Sequence, residues 1–299
     1  MRKYIKLFFL YIFFILSLAS CEDTKSQNNS TYHRKHTSDL NLYKLGVNDR
    51  LKKVRPVPKR LKYPDDCVND VIYKGADIFQ TGEDIAIGMS GVKVTDKEVN
   101  EFGDEAIKQL KKSKNYKFIY DERLKQLKLL LKKMLSKRGE HTGIKYQIHL
   151  IDNKVVNAFT VGGHIVITTG ILNETKSQSA IAYVLGHEIG HNEKGHLRKT
   201  IKKLKLANRY IKGSGNIALA LQSLITPAFN QPNEIEADYY GAILCYKSGF
   251  DPRKGIDFWK RMSKKENETI IGSYMRTHPY SSSRAECLKQ FLKKNLRFD

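Results

Sequence analysis

The chain has 299 residues and is strongly basic, with 53 Lys and Arg against 31 Asp and Glu and a formal net charge of +22. This length provides for one sizeable domain and a tail rather than for two full domains. The lysines are scattered and no nucleic-acid-binding motif is present, so the charge favours a solvated face or apposition to a membrane, and no nucleic acid is expected as a partner.

The N-terminus has the three parts of a secretory signal peptide, which we predict over residues 1–20. A basic start precedes an apolar run from Leu7 to Leu18, which is shorter than the roughly twenty residues of a membrane-spanning helix. The following LASC resembles the bacterial lipobox, in which cleavage leaves a lipidated cysteine. We therefore predict lipidation of Cys21, which would anchor the chain to a bacterial membrane in the cell envelope, facing the periplasm. The alternative is a soluble secreted protein with Cys21 at the cleavage site by chance.

The next segments differ in composition from the rest of the chain. Residues 21–65 are polar and basic and have few periodic apolar positions, which predicts a flexible basic tether. Residues 66–96 mix glycines with short apolar pieces and are left unassigned. A single folded domain is predicted over residues 97–295.

The predicted fold class is α+β, mostly helical with a small sheet. Helical periodicity predicts helices over 97–112, 119–137, 178–212, 233–247, 252–264 and 282–295. Alternation and β-branched content predict strands over 144–152 and 164–170. The apolar segment 213–229 is predicted to be a helix or flap packed at the cleft of the domain, with membrane contact as the alternative, and Cys245 is predicted to be a buried thiol.

The segment VLGHEIGHNEKGH, residues 184–196, carries the motif HExxH on a predicted helix with Ser177 as its N-cap. His187 and His191 lie four positions apart and therefore on one helix face, where two imidazoles can bind one zinc ion. Glu188 lies beside them and can act as a general base on water. Such a site needs a third ligand.

His196 is one candidate for that third ligand. It would lie about 140° around the helix from His191 if the helix continued, and so would point away from the metal. Gly195 could bend the chain, which keeps this alternative open. A role on the helix surface or in support of a ligand is favoured.

The segment PNEIEADYYGAILC, residues 232–245, offers carboxylates instead. Glu234 and Asp238 share one helix face, whereas Glu236 projects away from it. One of the two carboxylates can bind the metal while the other orients a ligand histidine through its free ring nitrogen.

HEIGH followed by EIEAD resembles the gluzincin metallopeptidases related to the CAAX prenyl protease and bacterial HtpX, a zincin family with periplasmic lipoprotein members. Three further segments agree in the same order: VNAFTVGGHIVITTGIL (155–171), GFDP (249–252) and THPYSSSR (277–284). The resemblance implies one zinc ion per chain as cofactor, held by His187, His191 and Glu234. It implies Glu188 as catalytic base and Asp238 as the supporting aspartate.

The chain departs from that family's pattern at three places. NAFTVGG lacks a proline and is one residue shorter than usual. Asn192 and Glu193 are polar where the family is usually apolar, and Tyr239 stands where an arginine is usual. None of these departures removes a predicted metal ligand.

Two further groups of residues are predicted to contact the substrate. Arg284 and His278 are expected to stabilise the charge that develops on the tetrahedral intermediate, with capping of a helix start as the alternative. Residues Gly163, His164, Ile165 and Val166 are expected to begin an edge strand to which an extended peptide can pair. The alternative is a strand that is paired on both sides.

These features predict a membrane-anchored zinc endopeptidase that hydrolyses unfolded or misassembled envelope proteins. The alternative is a chaperone-like assembly factor of the envelope, which keeps the zinc site but rarely cleaves. A purely structural lipoprotein would leave the HExxH motif unexplained.

Overall fold

The computed structural model describes residues 49–64, 67, 90–114, 116–175, 177–208, 231–264 and 282–298, all within one unit of the chain, Tyr43–Asp299. The strands are β1 (Phe118–Ile119), β2 (Gln147–Ile151), β3 (Ala158–Val161) and β4 (His164–Thr168). The helices are α1 (Asp96–Lys112), α2 (Glu122–Leu135), α3 (Thr169–Thr175), α4 (Gln178–Glu193), α5 (His196–Asn208), α6 (Gln231–Lys247), α7 (Arg253–Lys264) and α8 (Ser282–Asn295).

The described strands form one sheet in the order β1–β2–β4–β3. β2 and β4 run parallel, whereas β1 with β2 and β3 with β4 run antiparallel. All five residues of β4 are buried, because the strand is covered on both faces: Ile165 and Ile167 pack into one hydrophobic cluster and Val166 into another. The predicted α+β architecture, mostly helical with a small sheet, is confirmed.

The expectation that Gly163, His164, Ile165 and Val166 begin an edge strand is wrong. In the sheet, Val166 lies opposite Phe159 of β3 on one side and His149 of β2 on the other. Strand β4 is therefore paired along both edges and offers no open edge to a substrate. The outer strand on this side of the sheet is β3.

A tight turn at Gly162 and Gly163 joins β3 to β4. The φ angles of these residues are 55° and 84°, values that glycine adopts readily and that suit a two-residue hairpin. Gly103 of α1 packs against the turn so closely that a Cβ added there would lie 2.6 Å from the carbonyl oxygen of Val161. The short NAFTVGG segment therefore forms a regular hairpin without a proline.

Helix α4 passes through the core and is buried on nearly all sides. Ser177 is its N-cap, as predicted, and its hydroxyl accepts the N–H of Ala180 at 3.0 Å. The helix ends at Glu193, because Gly195 has a φ of 75° and turns the chain before α5. The predicted single helix over 178–212 is therefore wrong, and two helices stand in its place.

Residues 49–64, which we name the arm, lie on the folded domain without forming a helix or a strand. Leu51 donates its N–H to the carbonyl oxygen of Gly249 at 3.1 Å. Beyond the arm, a disulfide joins Cys67 to Cys287 of α8. The prediction of a flexible tether is wrong for this part of the chain, since its backbone is hydrogen-bonded to the domain.

The remaining expectations about elements have mixed outcomes. The helices predicted near α1, α2, α6, α7 and α8 are confirmed with small shifts at their ends, whereas β1, β3 and α3 were not predicted. Cys245 is a buried free thiol, as predicted. The predicted signal peptide, Cys21, His278 and the apolar segment 213–229 lie outside the described residues. Among the helices that are described, none has the length and apolar character needed to cross a bilayer.

Candidate metal centre

Helices α4 and α6 approach each other at glycines. Gly186 faces Gly241, and a Cβ added at Gly241 would lie 2.5 Å from the backbone nitrogen of His187. Further along α4, a Cβ added at Gly190 would lie 3.0 Å from the carbonyl oxygen of Ala237. Since no side chains separate the helices at these points, the two backbones can come close together. The histidines of α4 thereby reach the first carboxylate of α6.

The three predicted metal ligands converge at this contact. The Nε2 atoms of His187 and His191 lie 2.9 Å apart. The carboxylate of Glu234 lies 3.4 Å from the first nitrogen and 3.3 Å from the second. The ligand atoms of a tetrahedral zinc site are about 3.3 Å apart when the metal–ligand bonds are near 2.0–2.1 Å. The spacing of the three side chains therefore fits a zinc ion.

Asp238 sets the tautomer of His187. Its Oδ1 atom lies 2.9 Å from Nδ1 of His187 and also accepts the hydroxyl of Tyr183 at 2.9 Å. Because an ionised carboxylate can only accept, Nδ1 of His187 carries the hydrogen and Nε2 presents its lone pair to the metal position. Burial alone would raise the pKa of Asp238, but Arg284 and His187 outweigh it and lower that pKa.

A second chain of hydrogen bonds sets the tautomer of His191. Its Nδ1 lies 2.9 Å from Nδ1 of His196, whose Nε2 lies 3.2 Å from the carboxylate of Glu236. Hydrogen bonding from His196 and the charge of Lys194 lower the pKa of Glu236 to about 2, so this carboxylate accepts. His196 must then donate from Nε2 and accept at Nδ1, and His191 donates to it. His196 is thus placed as a supporting residue, and Glu236 lies off the metal face as predicted.

These two series of hydrogen bonds orient His187 and His191 so that their Nε2 atoms and the Glu234 carboxylate face one point. A cation requires such an arrangement of electron-pair donors. Burial lowers the pKa of His187, but the hydrogen bonds that it donates to Asp238 and Glu234 raise that pKa to about 10. Burial lowers the pKa of His191 to about 3, although Glu234 opposes that shift. A positive charge is therefore favoured at Nε2 of His187 beside Glu234, which is the position that a metal ion would occupy in place of a proton. Two imidazoles and one carboxylate are a ligand set that zinc takes in catalytic sites.

Arg284 does not have the position expected of a group that stabilises the intermediate. Its guanidinium donates from Nε to Oδ2 of Asp238 at 2.9 Å and from Nη2 to Oδ1 at 3.0 Å. Its Nη1 atom lies 3.1 Å from Glu234. The expected contact with the substrate is therefore corrected: Arg284 is buried behind the site and holds the carboxylates of α6 in place, a fork geometry that suits arginine.

Glu188 is completely buried on α4, next to His187. The neighbouring strand β3 is tied to the same helix by Asn192, whose amide donates to the hydroxyl of Thr160 at 2.6 Å. The side-chain Oδ1 atom of Asn192 accepts the N–H of Gly163 at 3.3 Å. The structure thus places the candidate base, the ligands and the outer strand of the sheet around one helix.

The two remaining departures from the family pattern also have structural explanations. The carboxylate of Glu193 accepts Arg138 at 2.7 Å, the Thr142 N–H at 2.8 Å and the Tyr146 hydroxyl at 2.9 Å. It therefore fastens the segment before β2 to the end of α4. The ring of Tyr239 stacks on a phenylalanine of α8, with ring centroids 4.2 Å apart.

Several residues that shape the site were not identified from the sequence. Tyr183 lies four residues before His187, a helical spacing that could have indicated its contact with the Asp238 carboxylate. The facing glycines Gly186 and Gly241 carry no such signal, because their partners lie on a distant segment of the chain. His278 and Cys21 lie outside the described residues, so the structure does not place them.

Comparison with protein families gives a match to the model described as peptidase family M48, over residues 121–292. This range covers more than half of the chain and contains the two helices that carry the candidate metal ligands. It agrees with the resemblance to gluzincin metallopeptidases that the motifs indicated.

Individual relatives are more distant and longer. The mitochondrial metalloendopeptidase OMA1 of Arabidopsis thaliana is 29% identical over 212 residues, which are 68% of this chain and 43% of the relative. The beta-barrel assembly-enhancing protease of Yersinia pestis is 29% identical over 204 residues, 61% of this chain and 41% of that protein. The chain thus spans about two fifths of the length of these relatives. With the family match over most of its folded part and the metal-site geometry in place, the chain belongs to peptidase family M48.

Proposed function

We propose that the chain is a zinc-dependent endopeptidase that hydrolyses peptide bonds in unfolded or misassembled proteins. The observation that carries this proposal is the convergence of His187, His191 and Glu234 on one point, with Glu188 next to the first ligand on the same helix. Family membership and the names of the relatives, which include metalloendopeptidases, support the same activity.

The residues of the site divide the chemistry between them. A zinc ion held by the three ligands, one per chain, would lower the pKa of water and polarise the scissile carbonyl. Glu188 accepts a proton from the attacking water and delivers it to the nitrogen of the leaving amine. Asp238 and Arg284 act indirectly. Asp238 fixes the tautomer of His187, and Arg284 fixes the position of the Glu234 carboxylate.

Strand β3 supports the proposed substrate class. Among the described strands, β3 has a neighbour on only one side, and Asn192 ties it to the metal helix. A peptide in an extended conformation can pair with such an outer strand through its backbone, with little demand on its side chains. The site therefore favours unfolded segments over a fixed sequence motif.

Substrate pairing with β3 can be tested on the substrate side. We expect N-methylation of single peptide bonds in a cleaved model peptide to raise KM at alternating positions, because every second N–H of a strand points to the same neighbour. An equal effect at every position, or at none, would contradict pairing with a strand.

The peptidase activity itself is tested by Glu188→Gln. Removal of a general base is expected to lower the rate of cleavage of an unfolded protein by about two orders of magnitude or more, while zinc binding and the melting temperature remain unchanged. Glu101→Gln, at an exposed position of α1, is the matched control. Unchanged cleavage by Glu188→Gln would refute the mechanism. Absence of cleavage by the wild type, with zinc bound, would favour the chaperone-like alternative.

We also propose that the chain acts in the bacterial cell envelope, anchored through a lipid on Cys21. The support is the LASC segment after an apolar run and the similarity to a protein named beta-barrel assembly-enhancing protease in a bacterium. Cys21→Ser should abolish the incorporation of radiolabelled lipid and leave the precursor uncleaved at that site. Labelling equal to that of the wild type would contradict the proposal.

A further inference from the structure

A cavity of about 270 Å³ lies on the side of α6 that faces away from the metal centre. Tyr240, Ile243 and Lys247 recur at helical intervals on α6 and line it. Leu61 and Tyr63 of the arm line the same cavity, which we name the arm pocket. The proposed peptidase chemistry uses none of these side chains.

Positive charge in the arm pocket is only partly balanced. Among the described residues that line it, the cationic side chains are Lys137, Arg138, Lys194 and Lys247, against one carboxylate, that of Glu236. Arg138 forms an ion pair with the buried carboxylate of Glu193 at 2.7 Å, and Lys194 forms one with Glu236 at 3.2 Å. Lys137 and Lys247 have no ion-pair partner within the described part of the chain. The remaining charge favours an anionic ligand.

Two tyrosines that line the arm pocket have hydroxyls without a hydrogen-bond partner among the described residues. Tyr239 is 8% exposed, and its hydroxyl and that of Tyr240 are buried without a hydrogen-bond partner among the described residues. Burial raises the pKa of both side chains, so both hydroxyls keep their protons. A buried donor without a partner is unfavourable. An acceptor oxygen supplied by a ligand would remove that cost.

We propose that the arm pocket binds the phosphate headgroup of an anionic phospholipid. Phosphate oxygens accept hydrogen bonds from tyrosine hydroxyls and from lysine ammonium groups. Leu61 and Ile243 provide apolar surface for the glycerol and the first acyl carbons, which free phosphate would not use. Tyr63 is 54% exposed at this pocket, and aromatic rings beside lysines are typical of sites at a membrane surface.

Such a site would place the arm side of the domain against an anionic membrane. The formal net charge of +22 favours attraction to such a membrane, because basic proteins are attracted to anionic lipids, and the pocket would set which side of the domain faces it. The inference depends neither on the peptidase activity nor on lipidation of Cys21, since both the pocket and its charges belong to the folded domain.

The test is calorimetric titration of the full chain with short-chain lipids below their micelle concentration. Dihexanoyl phosphatidylglycerol is expected to bind at least tenfold more tightly than dihexanoyl phosphatidylcholine or inorganic phosphate. The double variant Lys137→Gln/Lys247→Gln should weaken this binding about tenfold or more, because each lysine near an anionic headgroup contributes appreciably. Tyr239→Phe, which keeps the ring and removes the donor, should weaken it several-fold.

The matched control is Lys97→Gln/Lys108→Gln, which removes two exposed lysines from α1. This control should bind phosphatidylglycerol like the wild type. An equal loss in the control would show general charge attraction and overturn the assignment of the pocket. Equal affinity for inorganic phosphate, or tighter binding of an apolar peptide with a free C-terminal carboxylate, would overturn the lipid as its ligand. Melting temperatures of all variants establish that each is folded.

Discussion

At the scale of single residues, the candidate metal centre depends on how each ligand histidine is oriented. His187 is oriented by the carboxylate of Asp238, which itself accepts hydrogen bonds from Arg284 and Tyr183. His191 is oriented by a series of hydrogen bonds through His196 to Glu236. Partners of this kind raise the basicity of a ligand and fix its direction. Both ligands thus depend on residues that would not touch the metal.

His196→Ala should weaken zinc binding without abolishing it. A partner that orients a ligand contributes about 10–100-fold to metal affinity, so we expect a loss in that range by competition with a chromogenic chelator. His196→Gln, whose side-chain oxygen can accept the His191 Nδ1–H, should restore part of the affinity. Equal affinities of wild type and His196→Ala would show that this series of hydrogen bonds has no role in metal binding.

At the scale of elements, the site exists because two helices pack at glycines. The close contacts of Gly186 with Gly241 and of Gly190 with Ala237 bring α4 and α6 together. The sheet contributes less directly, through the hairpin of β3 and β4 that Asn192 fastens to α4. Small changes in helix separation should therefore affect the metal site before they affect the sheet.

Gly241→Ala should separate α4 from α6. Its methyl group would lie 2.5 Å from the backbone nitrogen of His187, and such overpacking costs about 1–3 kcal/mol of unfolding free energy. We expect lower thermal stability and reduced zinc affinity together. Gly139→Ala is the control, because its added methyl meets no atom within 4 Å and only its positive φ is strained. Normal zinc affinity in Gly241→Ala would contradict the proposed role of the close helix contact.

The sequence predicts local features of this fold better than pairing between distant segments. Helix faces repeat within a few residues, so spacing alone identified the two histidines on α4 and the pair Glu234 and Asp238 on α6. The choice of Glu234 as the metal ligand came from the family resemblance. The position of β4 inside the sheet depends on β3 and β2, of which β3 was not recognised as a strand. The break after α4 depends on the positive φ of Gly195, which the residue permits but does not require.

At the scale of the whole molecule, the arm and the disulfide attach the described N-terminal segment to the rest of the domain. The Cys67–Cys287 bond joins residues 220 positions apart and fastens the chain to α8, the helix that also carries Arg284. Composition alone indicated a flexible segment here, because short polar stretches reveal neither backbone hydrogen bonds nor a disulfide partner. The arm is therefore part of the domain that holds the metal centre.

Cys67→Ser/Cys287→Ser should lower the unfolding free energy by several kcal/mol. Chain entropy sets an upper limit of about 5 kcal/mol for a loop of this length. Denaturant unfolding with and without dithiothreitol measures the effect, and the double variant should be insensitive to the reductant. Cys245→Ala, which removes the free thiol, should remain sensitive to it. A wild type whose stability is unchanged by dithiothreitol would show that the bond contributes nothing.

The central claim is that His187, His191 and Glu234 together hold one zinc ion. The most direct test is the zinc content of purified wild type and of the variants His187→Ala, His191→Ala, Glu234→Ala and Glu236→Ala, measured by atomic emission at equal protein concentration. We expect about one ion per chain in the wild type and in Glu236→Ala, and zinc loss in the other three. Full zinc content in Glu234→Ala, or its loss in Glu236→Ala instead, would contradict the assignment of the metal centre.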